Sequence, residues 1–246
     1  MKHIDKTVNK APGVYVKNLK GRQLDKNSIL AGSHPTLDGD HLFRRVKNTK
    51  GFDLFRHTLI REQGYVCCYC GHSVEEDSIT IEHVQPKSVH RELVGEYSNV
   101  MISCEGGRDI PKDATGAPLY DRTYYPTHCD ASKGHKEIPI KPSDDCEGRF
   151  FYDEFGGISS ATSDVDAQDT ITKLRLDCPY LTQERSDEIL YTLYDETGTM
   201  LTPAELEQTY DRMMTKDRDG RYHNFHFVVA SVILGLFLGK VKARYN

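Results

Sequence analysis

A chain of 246 residues has room for one large or two small domains, and with 37% hydrophobic and 28% charged residues it can bury a core, which excludes a disordered tail. Its formal charge of −5, from 32 Lys and Arg against 37 Asp and Glu, argues by itself against a nucleic-acid binder. That average hides a split: residues 1–61 carry 13 basic and 5 acidic groups, a net of +8, whereas residues 62–246 carry 19 and 32, a net of −13. A basic arm on an acidic body implies two surfaces with different partners.

In chain order, Met1 to Lys10 is polar and charged, so no signal peptide is expected. Residues 1–40 read as an irregular basic leader, with turn signals at Pro12-Gly13, Gly32 and Pro35 and weak strand character in Val14-Tyr15-Val16. From His41 to Gln63 the apolar positions Leu42, Phe43, Val46, Phe52, Leu54, Phe55, Leu59 and Ile60 have helical spacing, broken near Gly51. This segment presents Arg44, Arg45, Lys47, Lys50, Arg56 and Arg61. For any single one of these charges a solvated helix face is the bland reading.

Cys67-Cys68-Tyr69-Cys70-Gly71 contains a C-x2-C knuckle, whose tight turn brings two sulfurs toward one point and so holds one face of a tetrahedral Zn²⁺. Cys104 and Cys129 could supply the second pair, although ordinary buried thiols explain each about equally well, and His128 is an alternative to Cys129. Cys68, Cys146 and Cys178 read as structural thiols. Seven cysteines, three of them crowded within four residues, do not form a secreted disulfide framework and point to a reducing cytoplasm.

Ile79-Thr80-Ile81-Glu82 alternates as a half-buried strand, ending at Glu82-His83 in a loop closed by Pro86. Residues 105–127, rich in Gly, Pro and Asp, form a long loop. Beyond Asp144, Phe150 to Ile158 suggests a short hairpin. Ala167, Ile171 and Leu174 suggest a helix stopped by Pro179, Ile189, Leu190 and Leu193 a second, and Thr202-Pro203-Ala204-Glu205 starts a third with a capping box. The apolar run Phe225–Gly239 is 15 residues long, short of the roughly 20 a membrane span needs, so a buried or partner-facing helix is expected.

The order Cys67/Cys70, Glu82-His83 with Pro86, Asn99, Cys104, then Cys129-Asp130 with Lys133-Gly134 resembles the HNH (His-Asn-His) endonuclease superfamily. Each element is common alone; five in order are specific. The long gap before His128, the Gly156-Gly157-Ile158 hairpin and the Thr170 to Arg185 pattern are most similar to the retron- and Septu-associated (PtuB-like) HNH nucleases of bacterial anti-phage defence.

This resemblance implies an α+β fold: a ββα-metal core with a structural zinc knuckle, flanked by a basic N-terminal segment and a mainly helical C-terminal region. The division is 1–54 for the basic arm and helix, 55–141 for the nuclease core including the 105–127 loop, and 142–246 for an acidic region that docks a partner. His83 is then the general base, Glu82 and Asp130 hold a catalytic Mg²⁺ or Mn²⁺, and Asn99 orients the loop that carries His83. Cys67, Cys70, Cys104 and Cys129 bind the zinc. Lys133, Lys87 and the basic residues Arg44, Arg45 and Lys47 contact nucleic acid. Asp130, where Asn or His is common, and Glu82, where Asp is frequent, depart from the family pattern. The implied activity is phosphodiester hydrolysis, DNA favoured, with an ABC-type ATPase partner and no membrane association. RNA such as tRNA is the alternative substrate, and an inactive zinc-stabilised binding module the alternative function.

Overall fold

The computed structural model describes residues 1–6, 36–48 and 52–244, with side chains as far as residue 237. The leader's turn signals, its strand-like Val14-Tyr15-Val16 and Lys50 lie outside the described residues.

Helices form at Gly39–Lys47 and Phe52–Glu62, where the apolar spacing predicts them. Helix α1 (Gly39–Lys47) is capped by Asp38, whose carboxylate accepts from the His41 amide at 2.8 Å, and it buries Leu42, Phe43 and Val46. Helix α2 (Phe52–Glu62) buries Phe55, Leu59 and Ile60. Gly64, at φ +68°, ends it in the left-handed region open to glycine.

Strand β1 (Ile79–His83) pairs antiparallel with β2 (Val100–Cys104), Ile79 facing Cys104 and His83 facing Val100. One end of this ribbon therefore carries a cysteine, and the other carries His83 with Asn99 just before the partner strand. The 105–127 loop contains a bridge between Lys112 and Pro118 and leads into the short helix α3 (Cys129–Lys133), which packs against β2. The fold is thus α+β with small two-stranded sheets.

The C-terminal half matches its sequence signals closely. Strands β3 (Phe151–Tyr152) and β4 (Ile158–Ser159) form the hairpin. It is followed by α4 (Val165–Leu174), α5 (Pro179–Leu193), α6 (Pro203–Met213), whose capping box joins Thr202 and Glu205, and α7 (His226–Arg244). Arg185 of α5 is buried and donates to the carbonyls of Gly156 (2.8 Å) and Leu176, clamping the hairpin to two helices. In α7, Val228, Val229 and Ile233 are buried whereas Leu234 is exposed. No helix among the described residues is long and apolar enough to cross a membrane.

One hydrophobic cluster joins Leu59, Met101 and Ile102 around the ribbon to Leu174, Leu181 and Val229 of the helical half. A separate, smaller cluster of Leu42, Phe43, Val46 and Val94 seats α1 over the loop that follows β1. The chain's first residues lie against the 142–152 segment: the Ile4 amide donates to the Pro142 carbonyl at 2.7 Å and the Met1 amino group to the Tyr152 hydroxyl at 2.6 Å.

Candidate active site and metal centre

The Sγ atoms of Cys67, Cys70, Cys104 and Cys129 all lie within 4.8 Å of one another, and all four residues are buried. Cys70 and Cys104 are 4.0 Å apart, close to the roughly 3.8 Å separation that four Zn–S bonds of about 2.3 Å impose. The knuckle forms because the chain reverses tightly at Gly71 (φ +84°), aiming the Tyr69 amide at Cys67 Sγ (3.5 Å) and the His72 amide at Cys70 Sγ (3.4 Å). Burial and the adjacent thiols push Cys129 well above the usual thiol value. Burial acts the same way on Cys67, but hydrogen bonds from Cys104, Cys129, Cys68 and Cys70 overcome it and hold that thiol well below. A closed, buried set of four sulfurs able to stabilise a thiolate fits a structural metal ion. His128 Nδ1 sits 3.3 Å from Cys129 Sγ, so the histidine backs that sulfur and Cys129 completes the set.

At the other end of the ribbon, Glu82 and His83 are buried. Asn99 fixes the loop after them: its carboxamide oxygen accepts from the Gln85 amide at 2.7 Å, and its NH₂ donates to the carbonyls of Gln85 (3.1 Å) and Leu93 (3.3 Å). His83 Nε2 lies 3.0 Å from the Val94 carbonyl. A carbonyl only accepts, so Nε2 carries the proton. Burial lowers the His83 pKa to about 4, so the ring is neutral at pH 7 and Nδ1 is its free base. Nδ1 has no hydrogen-bond partner among the described residues, and the Phe43 ring packs edge-on over the imidazole with centroids 4.6 Å apart.

Two carboxylates flank this base. Glu82 accepts from the Tyr69 hydroxyl at 2.6 Å and from Lys133 Nζ at 2.7 Å. Burial, and next the neighbouring Asp130, raise its pKa to about 8. Burial pushes Asp130 upward too, yet hydrogen bonds from Glu82 and Arg108 bring it below the usual carboxylate value. A pair of hard oxygen donors, completed by substrate phosphate, suits Mg²⁺ or Mn²⁺.

These groups open into a cleft of about 800 Å³, lined by Glu82, His83 and Asp130 and by the cations Arg44, Lys47, Arg56, Lys87 and Arg108. Two expected contacts change. Lys133 is only 1% exposed and is spent on Glu82 and on the His83 carbonyl (2.9 Å), so it cannot reach a phosphate. It is a counter-ion, placed inside because α3 turns that side chain toward β1. Arg45 is exposed on α1 but does not line the cleft, since only the face shared by Arg44 and Lys47 looks into it. Two further residues carry no local sequence signal. Tyr69 lies inside the knuckle yet bonds Glu82. Arg108, in the long loop, donates to Asp130 and to Thr80 Oγ1 (2.9 Å).

No family model matches the chain. Over 205 residues, 80% of this chain and 85% of the relative, it is 29% identical to a protein of Vibrio cholerae serotype O1 biovar El Tor described as "Retron Vc95 putative HNH endonuclease".

Proposed function

We propose that the chain is an HNH endonuclease, like its 29% identical retron-associated relative, and that it hydrolyses phosphodiesters with a divalent metal ion, DNA favoured. In this reading β1, β2 and α3 form the ββα-metal unit within a 55–141 nuclease core. Residues 1–54 are a basic entrance, and residues 142–246 an acidic region that docks a partner.

The observation that carries the reading is His83: a neutral imidazole whose Nδ1 is unpartnered among the described residues, beside two carboxylates in a cleft rimmed by cations. His83 Nδ1 takes a proton from the attacking water while the Val94 carbonyl holds Nε2–H and so fixes the ring. Phe43 must give way for that water to enter. Glu82 and Asp130 would hold the cation, which when bound supplies Lewis-acid polarisation of the phosphoryl group and charge for the leaving oxygen. Asn99 keeps the His83 loop in register. Lys87, Arg44 and Lys47 attract the backbone. The four-sulfur site is separate and structural, with zinc the metal its thiolates suit. The relative's retron name is the ground for extending this to anti-phage defence, with an ATPase partner.

The test is incubation of plasmid DNA, single-stranded DNA and total tRNA with Mg²⁺ or with EDTA. Cutting should require the cation, and His83→Ala should lose about 10²–10⁴-fold in rate while staying folded. Parental cutting by His83→Ala would overturn the mechanism, and cleavage of tRNA alone would move the substrate to RNA.

A further inference from the structure

Each of the two metal-site carboxylates has its own cation, and the two cations differ in freedom. Lys133 is locked: it is 1% exposed and holds Glu82 and the His83 carbonyl at once. The Arg108 side chain is 44% exposed, comes from the 105–127 loop and reaches across the cleft to Asp130. Its other contacts are neutral oxygens, Thr80 Oγ1 at 2.9 Å and the Glu105 carbonyl at 3.3 Å. The root of that loop is built to hold it. Gly106 and Gly107 both have positive φ and pack where a Cβ would strike the His128 and Pro126 carbonyls at 2.2 and 2.8 Å. Arg122 adds bonds to the carbonyls of Gly107 and Arg108.

We propose that Arg108 is a catalytic residue: it neutralises Asp130 until a divalent cation takes that carboxylate, then turns to the scissile phosphate. This inference rests on the nuclease reading above. The charge balance supports it. Lys133 and Arg108 already place two positive charges beside the pair, so a dication entering it repels one of the two. Only Arg108 has somewhere to go, and it already lines the cleft that receives the phosphate. In the hydrolysis the water oxygen bonds to phosphorus, His83 takes the water's proton, and the bond from phosphorus to the leaving oxygen breaks with its electron pair. The extra negative charge then gathering on the non-bridging oxygens is what a guanidinium with two parallel N–H groups stabilises.

Two measurements on the full chain test this: Mn²⁺ binding without nucleic acid, by titration calorimetry, and the cleavage rate at saturating Mn²⁺. Arg108→Gln should bind Mn²⁺ up to about fivefold more tightly, the most a half-exposed ion pair withholds, yet cut about 100-fold more slowly. Arg108→Lys should recover part of the rate. Parental affinity with parental rate in Arg108→Gln would overturn the assignment, as would a slower rate with weaker Mn²⁺ binding. Glu82→Gln and His83→Ala, measured alongside, separate the two failures. If both are inert while Arg108→Gln cuts normally, only the arginine role falls; if either cuts normally, the nuclease site itself is misassigned.

Discussion

The state of Glu82 makes the site's pH behaviour specific. Its pKa rises from the ordinary 4.5 to about 8 because it is buried and faces Asp130. The folded protein therefore holds this proton more tightly than the unfolded chain does, and the metal-free protein loses stability as pH climbs from about 4.5 to 8. A divalent cation removes that penalty, so Mg²⁺ or Mn²⁺ should raise Tm more at pH 8 than at pH 5; equal shifts at both would count against the carboxylate site. His83 runs the other way. With its pKa lowered from 6.5 to about 4 by burial, it costs stability only as pH falls through that window, and it remains a neutral base at pH 6 to 7. The acid limb of activity should thus follow Glu82 and move to lower pH as metal concentration rises. At this scale the sequence named Glu82, His83, Asn99 and Asp130. It could not assign Lys133 to the interior, nor find Tyr69 and Arg108, because their partners lie on other elements.

Among elements, the knuckle and the helical clamp are the parts whose failure should unfold the protein. Cys70 contributes one of four buried sulfurs, and in a closed metal site binding free energy is folding free energy. Cys70→Ser should therefore be insoluble or metal-free and poorly folded, whereas His83→Ala stays soluble; a well-folded Cys70→Ser with parental Tm would rule out a structural metal. Arg185 is a contrasting case. It is a cation in a sequence proposed to bind nucleic acid, yet it is 1% exposed and serves the Gly156 and Leu176 carbonyls. Arg185→Ala leaves two buried acceptors unpaired, so about 2–4 kcal/mol of stability should be lost, seen as a lower urea midpoint, with little change in affinity for DNA. Helices α1, α2, α4, α5 and α6 were legible from apolar spacing and the Thr202 capping box, since such signals act within one or two turns, whereas Pro179, expected as the stop of α4, is the first residue of α5.

On the scale of the whole molecule, the charge division acquires a location: Arg44, Lys47 and Arg56 of the basic segment stand at the cleft that holds His83. The acidic 142–246 segment exposes Tyr191, Leu190 and Phe155, apolar groups that would suit the proposed ATPase contact. Gel filtration of the two proteins separately and mixed should show co-elution, and separate elution would sink the docking role. By itself the sequence determined most of the helices, the strand at Ile79, the Cys67/Cys70 knuckle and the order of chemistry-bearing residues, because each is written in local spacing, while Cys104 and Cys129 stayed candidates until the structure brought four sulfurs together. Only the tertiary structure decided which cation neutralises which carboxylate and which basic residues face the cleft. Arg108 and Asp130 are 22 positions apart, and their meeting depends on how a loop and a short helix pack on one ribbon, a burial and charge balance that no local pattern encodes.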